Sequence, residues 1–105
     1  MEPANGPLSP PLGGDTVVSA SDAVLASPLG GEVVLLEPEA GTYFSLNEVG
    51  ARIWEMIRDP VSVESIARRI VGEYDVDPIR CREDVLRLLS ELVEHGLAEI
   101  RPPDA

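Results

Sequence analysis

The apolar positions of this chain follow two spacings, and the change from one to the other falls inside a single stretch, GTYFSLNEVGARIW, residues 41–54. Thr42, Tyr43, Phe44, Ser45 and Leu46 read as a strand, because aromatic and β-branched side chains suit a pleated surface. From Asn47 onward the apolar residues are Val49, Ile53, Met56 and Ile57, a helical period. Asn47 is placed to cap that helix, and Asp59-Pro60 stops it.

Upstream, two further short runs have strand character. Ala23–Ala26 ends at the turn signal Pro28-Leu29-Gly30-Gly31, and Glu32–Leu36 ends at Glu37-Pro38-Glu39-Ala40-Gly41. Val33-Val34-Leu35-Leu36 is apolar on both faces, which predicts the central strand of a three-stranded antiparallel meander. Downstream, Ser62 caps a helix whose face is Val63, Ile66, Ala67, Ile70, Val71 and Tyr74. Asp77-Pro78, an N-cap followed by proline in the first turn, opens a third helix that ends at Gly96. A short extended tail, Leu97–Ile100, follows. The pattern predicts an α+β fold, a three-stranded antiparallel sheet followed by three helices. The helix, turn and helix from Ser62 onward resemble a helix-turn-helix, but only a few extended residues follow Gly96, so the pattern itself offers no proper wing.

The third helix has more apolar surface than one seat requires. On a wheel of about 100° per residue, Leu88, Cys81, Leu92, Val85, Leu89, Val93, Leu86 and Ile79 span roughly 180°, where a surface helix needs about 100°. Arg82 is the one charge within that arc. The excess flank is Leu86 and Val93, with Ile79 nearby. Two readings stay open: the helix is sandwiched between its neighbours and the sheet, or the flank faces something outside the fold.

With 105 residues the chain has room for one small domain. Residues 1–15 carry Pro3, Pro7, Pro10 and Pro11 among glycines and read as a disordered tail. Residues 16–101 form the predicted domain, and 102–105 a C-terminal tail. The N-terminus has neither a basic start nor an apolar signal-peptide core, and no run approaches the ~18 apolar residues of a membrane span. A cytoplasmic protein is expected.

The chemistry offered is sparse. Cys81 is the only cysteine and His95 the only histidine, which excludes a disulfide framework and a multi-His or Cys-based metal site. There is no Ser-His-Asp set and no phosphate-cradling glycine loop. Paired carboxylates such as Glu83-Asp84 are unremarkable in a chain with 19 acidic residues. Neither an enzyme nor a cofactor is expected. A DNA-binding role would use Arg80, Arg82 and Arg87 on a recognition helix. Glu83, Asp84, Glu91 and Glu94 lie among those arginines, and the net charge of -11 repels phosphates. Nucleic acid and anionic membranes are therefore not expected partners.

A peptide-binding module remains. An exposed sheet edge accepts an extended peptide as an added strand. Thr42–Leu46, short and without proline or charge, is the candidate edge.

TYFSLNEVGARIWEMI, the helix start SVESIA at Ser62, and the ending ELVEHGLAEI together resemble the PqqD-like family, over roughly residues 20–100. The resemblance implies a winged-helix-type domain that recognises leader peptides of ribosomally made natural products, a RiPP recognition element. Within the family the sequence is most similar to the stand-alone leader-binding proteins of lasso-peptide biosynthesis. That similarity implies a precursor leader, often with a Tyr-x-x-Pro motif, held for a partner leader peptidase, with a macrolactam synthetase acting later. The alternative is a PqqD-type chaperone that presents a precursor to a radical enzyme in pyrroloquinoline quinone synthesis. The expected peptide site is Thr42, Tyr43, Phe44, Ser45 and Leu46 along the strand, with Leu86, Leu89 and Val93 as an apolar wall and Arg82 for a leader carboxylate. Tyr43 and Phe44 point to opposite faces, so one of them belongs to the core. Leu89 is nearer the middle of the apolar arc, which favours core over groove for it.

Overall fold

Two glycines set the first hairpin. The structure, a computed structural model, describes residues 12–101. Gly30 and Gly31 both take positive φ, 56° and 91°, between β2 (Leu25–Leu29) and β3 (Glu32–Glu37), after β1 (Val17–Ala20). Two consecutive positive-φ residues match the twist of a tight hairpin, and glycine adopts them without steric cost. The second turn is held by Glu37, whose carboxylate accepts from the Ala40 N–H at 2.6 Å and the Glu39 N–H at 3.3 Å. It leads into β4 (Thr42–Leu46), and the sheet order is β2-β3-β4 with β3 central, as the apolar run of β3 predicts.

One boundary differs from the expectation. β2 is Leu25–Leu29 and contains Pro28, which the sequence reading assigned to the turn. Proline is tolerated because β2 is an edge strand, paired among the described residues with β3 alone, and the missing N–H costs no ladder bond on its outer side.

β4 passes into α1 (Glu48–Met56) through Asn47, whose side chain accepts from the Gly50 N–H at 2.9 Å. Gly50 sits where a Cβ would approach Leu46 Cβ and Cδ2 at 3.2 Å, so the elbow closes only because that side chain is absent. Ile53, Trp54 and Met56 of α1, with Ile57 after it, are buried.

A second sheet was not foreseen. β5 (Val61–Ser62), β1 and β6 (Ala98–Arg101) pair antiparallel in the order β5-β1-β6. Val17 lies opposite Arg101 and Ala20 opposite Ala98, and Arg101 Nε donates to Ser19 Oγ at 2.9 Å. The segment predicted as a lone extended tail is therefore an edge strand, and the expected single sheet is two. The pairing joins residues about as far apart as the chain allows, and local spacing carries no signal of it.

The predicted tail, 1–15, also needs correction at its end; residues 1–11 lie outside the described residues. Leu12 packs against the core. Gly14 O accepts from Glu64 N and Thr16 O from Val63 N, both at 2.9 Å. These are first-turn donors of α2 (Val63–Tyr74), which a helix start leaves unpaired, and Ser62 Oγ takes a third from Ser65 N. The segment is ordered because it caps a helix.

α2 ends at Asp75, in the left-handed conformation at φ 53°. Asp77 then caps α3 (Pro78–Glu94), its carboxylate accepting from Arg80 N at 2.9 Å. α1 is tied to α2 by two bonds of 2.9 Å from the Arg52 guanidinium to the Glu73 carboxylate, which hold that carboxyl below its ordinary range. One core runs through the molecule, from Val18 of one sheet and Leu35 and Leu46 of the other to Ile66, Ile70, Val85, Leu89 and Leu92 of the helices.

Candidate peptide-binding groove

Among the described residues β4 pairs with β3 alone, so its outer edge has no strand partner. That edge borders a groove of about 650 Å³. Phe44, Ser45 and Leu46 form one side, Val49 and Ile53 of α1 and Ile70 and Tyr74 of α2 the floor, and α3 the far wall. On α3 the lining side chains are Arg80, Cys81, Asp84, Val85, Arg87, Leu88 and Glu91. The floor is apolar and the α3 rim carries both signs of charge. Arg87 Nη1 lies 3.3 Å from Asp84 Oδ1, with both side chains well exposed, so the rim keeps its charge in solvent and adds little stability.

At one end the strand is held to α3 by an aromatic contact. The Phe44 and His95 rings are 5.6 Å apart, tilted at 58°. His95 caps α3, its ring Nδ1 2.8 Å from Glu91 O. A neutral or charged imidazole protonated at Nδ1 donates there, to a carbonyl at the negative end of the helix. Cys81, 5% exposed, lies at the groove's base. Burial pushes its thiol above the ordinary range, with the nearby Asp84 charge adding to the effect. Its S–H points to Ala67 O at 3.8 Å, the contact of a packed thiol rather than a nucleophile.

The structure brings together part of the expected site. Thr42 and Phe44 are half-buried, Tyr43 and Ser45 exposed, and Leu46 buried, all on the strand with the free edge. Of the pair on opposite faces, Phe44 turns to the core side and Tyr43, 70% exposed, to the other.

The helix half of the expected site is not at the groove. Leu89 is fully buried in the core. Leu86 and Val93 are half-buried and pack on the core, and neither lines the groove. Arg82 borders a separate shallow depression with Glu64, Ala67, Arg68, Val71 and Pro78, and its guanidinium reaches toward Gly14. The apolar arc of α3 is wide enough to seat at more than one rotation. In the fold its Leu88 side faces β4 and its Leu86 side faces away. The wall missed by the wheel is the row Arg80, Asp84, Arg87, Glu91. Its spacing of four, three and four residues marks one helix face, with the charges alternating in sign. Bordered by Cys81 and Leu88, it is legible as an edge of the apolar arc, although charge alone assigns it to solvent.

Comparison with known proteins follows the same lines. The family model for coenzyme PQQ synthesis protein D (PqqD) matches residues 32–98, from β3 to the start of β6. The chain belongs to the PqqD family. A similar solved structure is TbiB1 in complex with the TbiA(beta) leader peptide. It is 38% identical with a TM-score of 0.70, covering 77% of this chain and 94% of that one. Lasso peptide synthetase B1 complexed with the leader peptide is 26% identical with a TM-score of 0.69, covering 78% and 96%. The PqqD truncation of Methylobacterium extorquens PqqCD, a stand-alone RiPP recognition element, shares the fold at 24% identity. Its TM-score is 0.70, with 84% and 94% covered. No curated protein sequence matches significantly. The PqqD-family fold is thus an α+β fold of antiparallel sheets and three helices; the sequence predicts the class, the three helices and the β2-β3-β4 sheet, and misses the second sheet. Among the described residues, no group of three or more His, Cys, Asp or Glu is placed to hold a metal, and no helix is long and apolar enough to cross a membrane.

Proposed function

We propose that this chain binds the leader region of a ribosomally made precursor peptide as an added strand on β4. It acts as a binding module rather than an enzyme. The observation that carries the reading is the edge of β4, unpartnered among the described residues, opening onto an apolar-floored groove whose far wall is α3. Backbone pairing supplies affinity, and apolar side chains of the peptide seated on Leu88, Val49 and Tyr74 supply selectivity. An antiparallel peptide begins near Val49 and leaves at Thr42, by the β3–β4 turn.

Two of the similar structures hold leader peptides, and the more similar of them is a TbiB1 protein at 38% identity. This favours a role in lasso-peptide biosynthesis, in the cytoplasm. There the chain delivers the bound precursor to a partner leader peptidase, before a macrolactam synthetase closes the ring. The helix-turn-helix of α2 and α3, with β1 and β6 after it in space, is read as a winged helix turned to peptide binding. DNA binding is disfavoured by the net charge of -11.

Fluorescence anisotropy of a labelled leader peptide from the same gene cluster tests the reading. Saturable binding at or below about micromolar, weakened when the leader's Tyr and Pro become Ala, supports it; about 8 kcal/mol of binding is within reach of a strand-sized interface. No binding sinks it. A quinone-cofactor precursor bound more tightly than the lasso leader shifts the assignment to the PqqD-type role, which the family match keeps in view.

A further inference from the structure

The charges of α3 are placed against the helix itself. A helix carries partial positive charge at its N-terminus and partial negative charge at its C-terminus, so acidic residues suit the first turn and basic ones the last. α3 has the opposite arrangement. Arg80 lies in its first turn and Glu91 and Glu94 near its end, with no acidic residue in the first turn and no basic residue in the last. Arg80 and Glu91 are also the two ends of the charged row that walls the groove.

The two inner charges of that row are matched to each other, Arg87 Nη1 at 3.3 Å from Asp84 Oδ1. The outer two are not: among the described residues neither Arg80 nor Glu91 enters an ion pair, and both are exposed. Asp77 shares the Arg80 end, but its carboxylate is set against the Arg80 backbone N–H at 2.9 Å, where the helix terminus offsets its charge. The groove therefore has a positive end at Arg80 and a negative end at Glu91, the latter beside the C-terminal carbonyls of the helix.

The fold fixes which end of the strand meets which. Phe44 of β4 contacts His95, the C-cap of α3. From there β4 runs into α1, which Arg52 ties to Glu73 at the end of α2, and α3 opens shortly after, at Pro78. β4 and α3 are thus antiparallel across the groove. A peptide added antiparallel to β4 runs parallel to α3, its N-terminal end by Arg80 and its C-terminal end by Glu91.

We infer that Arg80 and Glu91 set the polarity and register of the bound peptide, so that the groove takes a segment with an acidic side chain toward its N-terminal end and a basic one toward its C-terminal end. This rests on the leader-binding reading and narrows the class of leader. Arg80 and Glu91 are eleven residues apart. That is about 16 Å along a helix, the length of about five residues of strand at ~3.3 Å each. Side chains on one face of a strand are an even number apart, so the acidic and basic residues stand about four or six positions apart. A peptide running the other way would set like charge against like at both ends, which selects against that orientation.

The test is anisotropy of the labelled leader from the same gene cluster, and of that leader with its acidic and basic residues at this spacing exchanged. Each is titrated with the full chain and with the variant carrying both Arg80→Glu and Glu91→Arg. Both positions are exposed, and the double substitution aligns the charges with the helix, so the thermal midpoint should not fall. Expected is wild-type affinity for the exchanged leader weakened about tenfold or more at low salt, with recovery to within about threefold when the exchanged leader meets the doubly substituted chain. The difference should narrow as salt rises, because the charges lie in solvent. A leader without an acidic and a basic residue in that order and at that spacing overturns the inference. Equal binding of the two leaders by the wild type also overturns it, as does a substituted chain that does not prefer the exchanged leader. The leader-binding reading survives each of these results. A wild-type chain that binds neither leader sinks that reading and this inference with it.

Discussion

Phe44 and His95 meet with ring centroids 5.6 Å apart, joining the middle of the free-edged strand to the C-terminal cap of α3. Phe44 lines the groove, so the contact ties one of its walls to the end of α3. His95→Ala should lower the stability modestly, by the ~0.5–1.5 kcal/mol of an aromatic pair, and weaken leader binding more than that loss of stability explains. His95→Phe should restore the binding. Calorimetry and anisotropy on the same samples check both, and wild-type affinity in the Ala variant would remove the contact from the site.

The two flanks of α3 should behave differently. Leu88 lines the groove and Leu86 does not. Leu88→Asp should weaken leader binding by about tenfold or more, the effect of a charge set into an apolar seat. Leu86→Asp should leave the affinity within about twofold, at a cost in stability only. The reverse result would place the peptide against Leu86 and Val93 after all.

Gly50→Ala tests the elbow. Alanine favours a helix by about 1 kcal/mol over glycine. The new methyl would meet Leu46 Cβ and Cδ2 at 3.2 Å, and Leu46 is buried, so it has nowhere to retreat. The variant should therefore be less stable than wild type by urea denaturation, and leader affinity should fall because β4 shifts. A stabilised Gly50→Ala would mean that the elbow has slack.

Cys81 gives a prediction with a definite sign. Its thiol is pushed up by burial first and by Asp84 second, so the folded protein holds the neutral form more strongly than the unfolded chain does. The stability from this difference is fully present below the unfolded thiol's pKa of about 8.5 and is lost as pH rises through the higher folded value. Native protein at pH 8 should react slowly with a thiol reagent such as dithionitrobenzoate, and rapidly in denaturant. Fast reaction without denaturant would show the groove base open.

How much of this was legible in the sequence differs from element to element. Asn47, Ser62 and Asp77 were each readable as helix caps, and each accepts the N–H three residues on. The meander was legible because Gly30-Gly31 and Gly41 supply the positive φ its turns need. The free-edged strand followed from the same signals. Pro28 was misplaced because an edge position removes the penalty that made it look like a turn.

Caps, turns and periods are local, set by a residue and its neighbours within one turn of chain, so the sequence by itself determined the order and type of the main elements and the strand that a peptide can join. Two matters were decided only in three dimensions. Val17–Ala20 finds Ala98–Arg101 across almost the whole domain, a pairing whose energy comes from the ladder and from the burial of Val18. The rotation of α3 was decided by packing: an apolar arc of roughly 180° is satisfied by several rotations. Seating Cys81, Val85, Leu89 and Leu92 against the other helices and sheets selects the one that turns Leu88 toward β4 and Leu86 away.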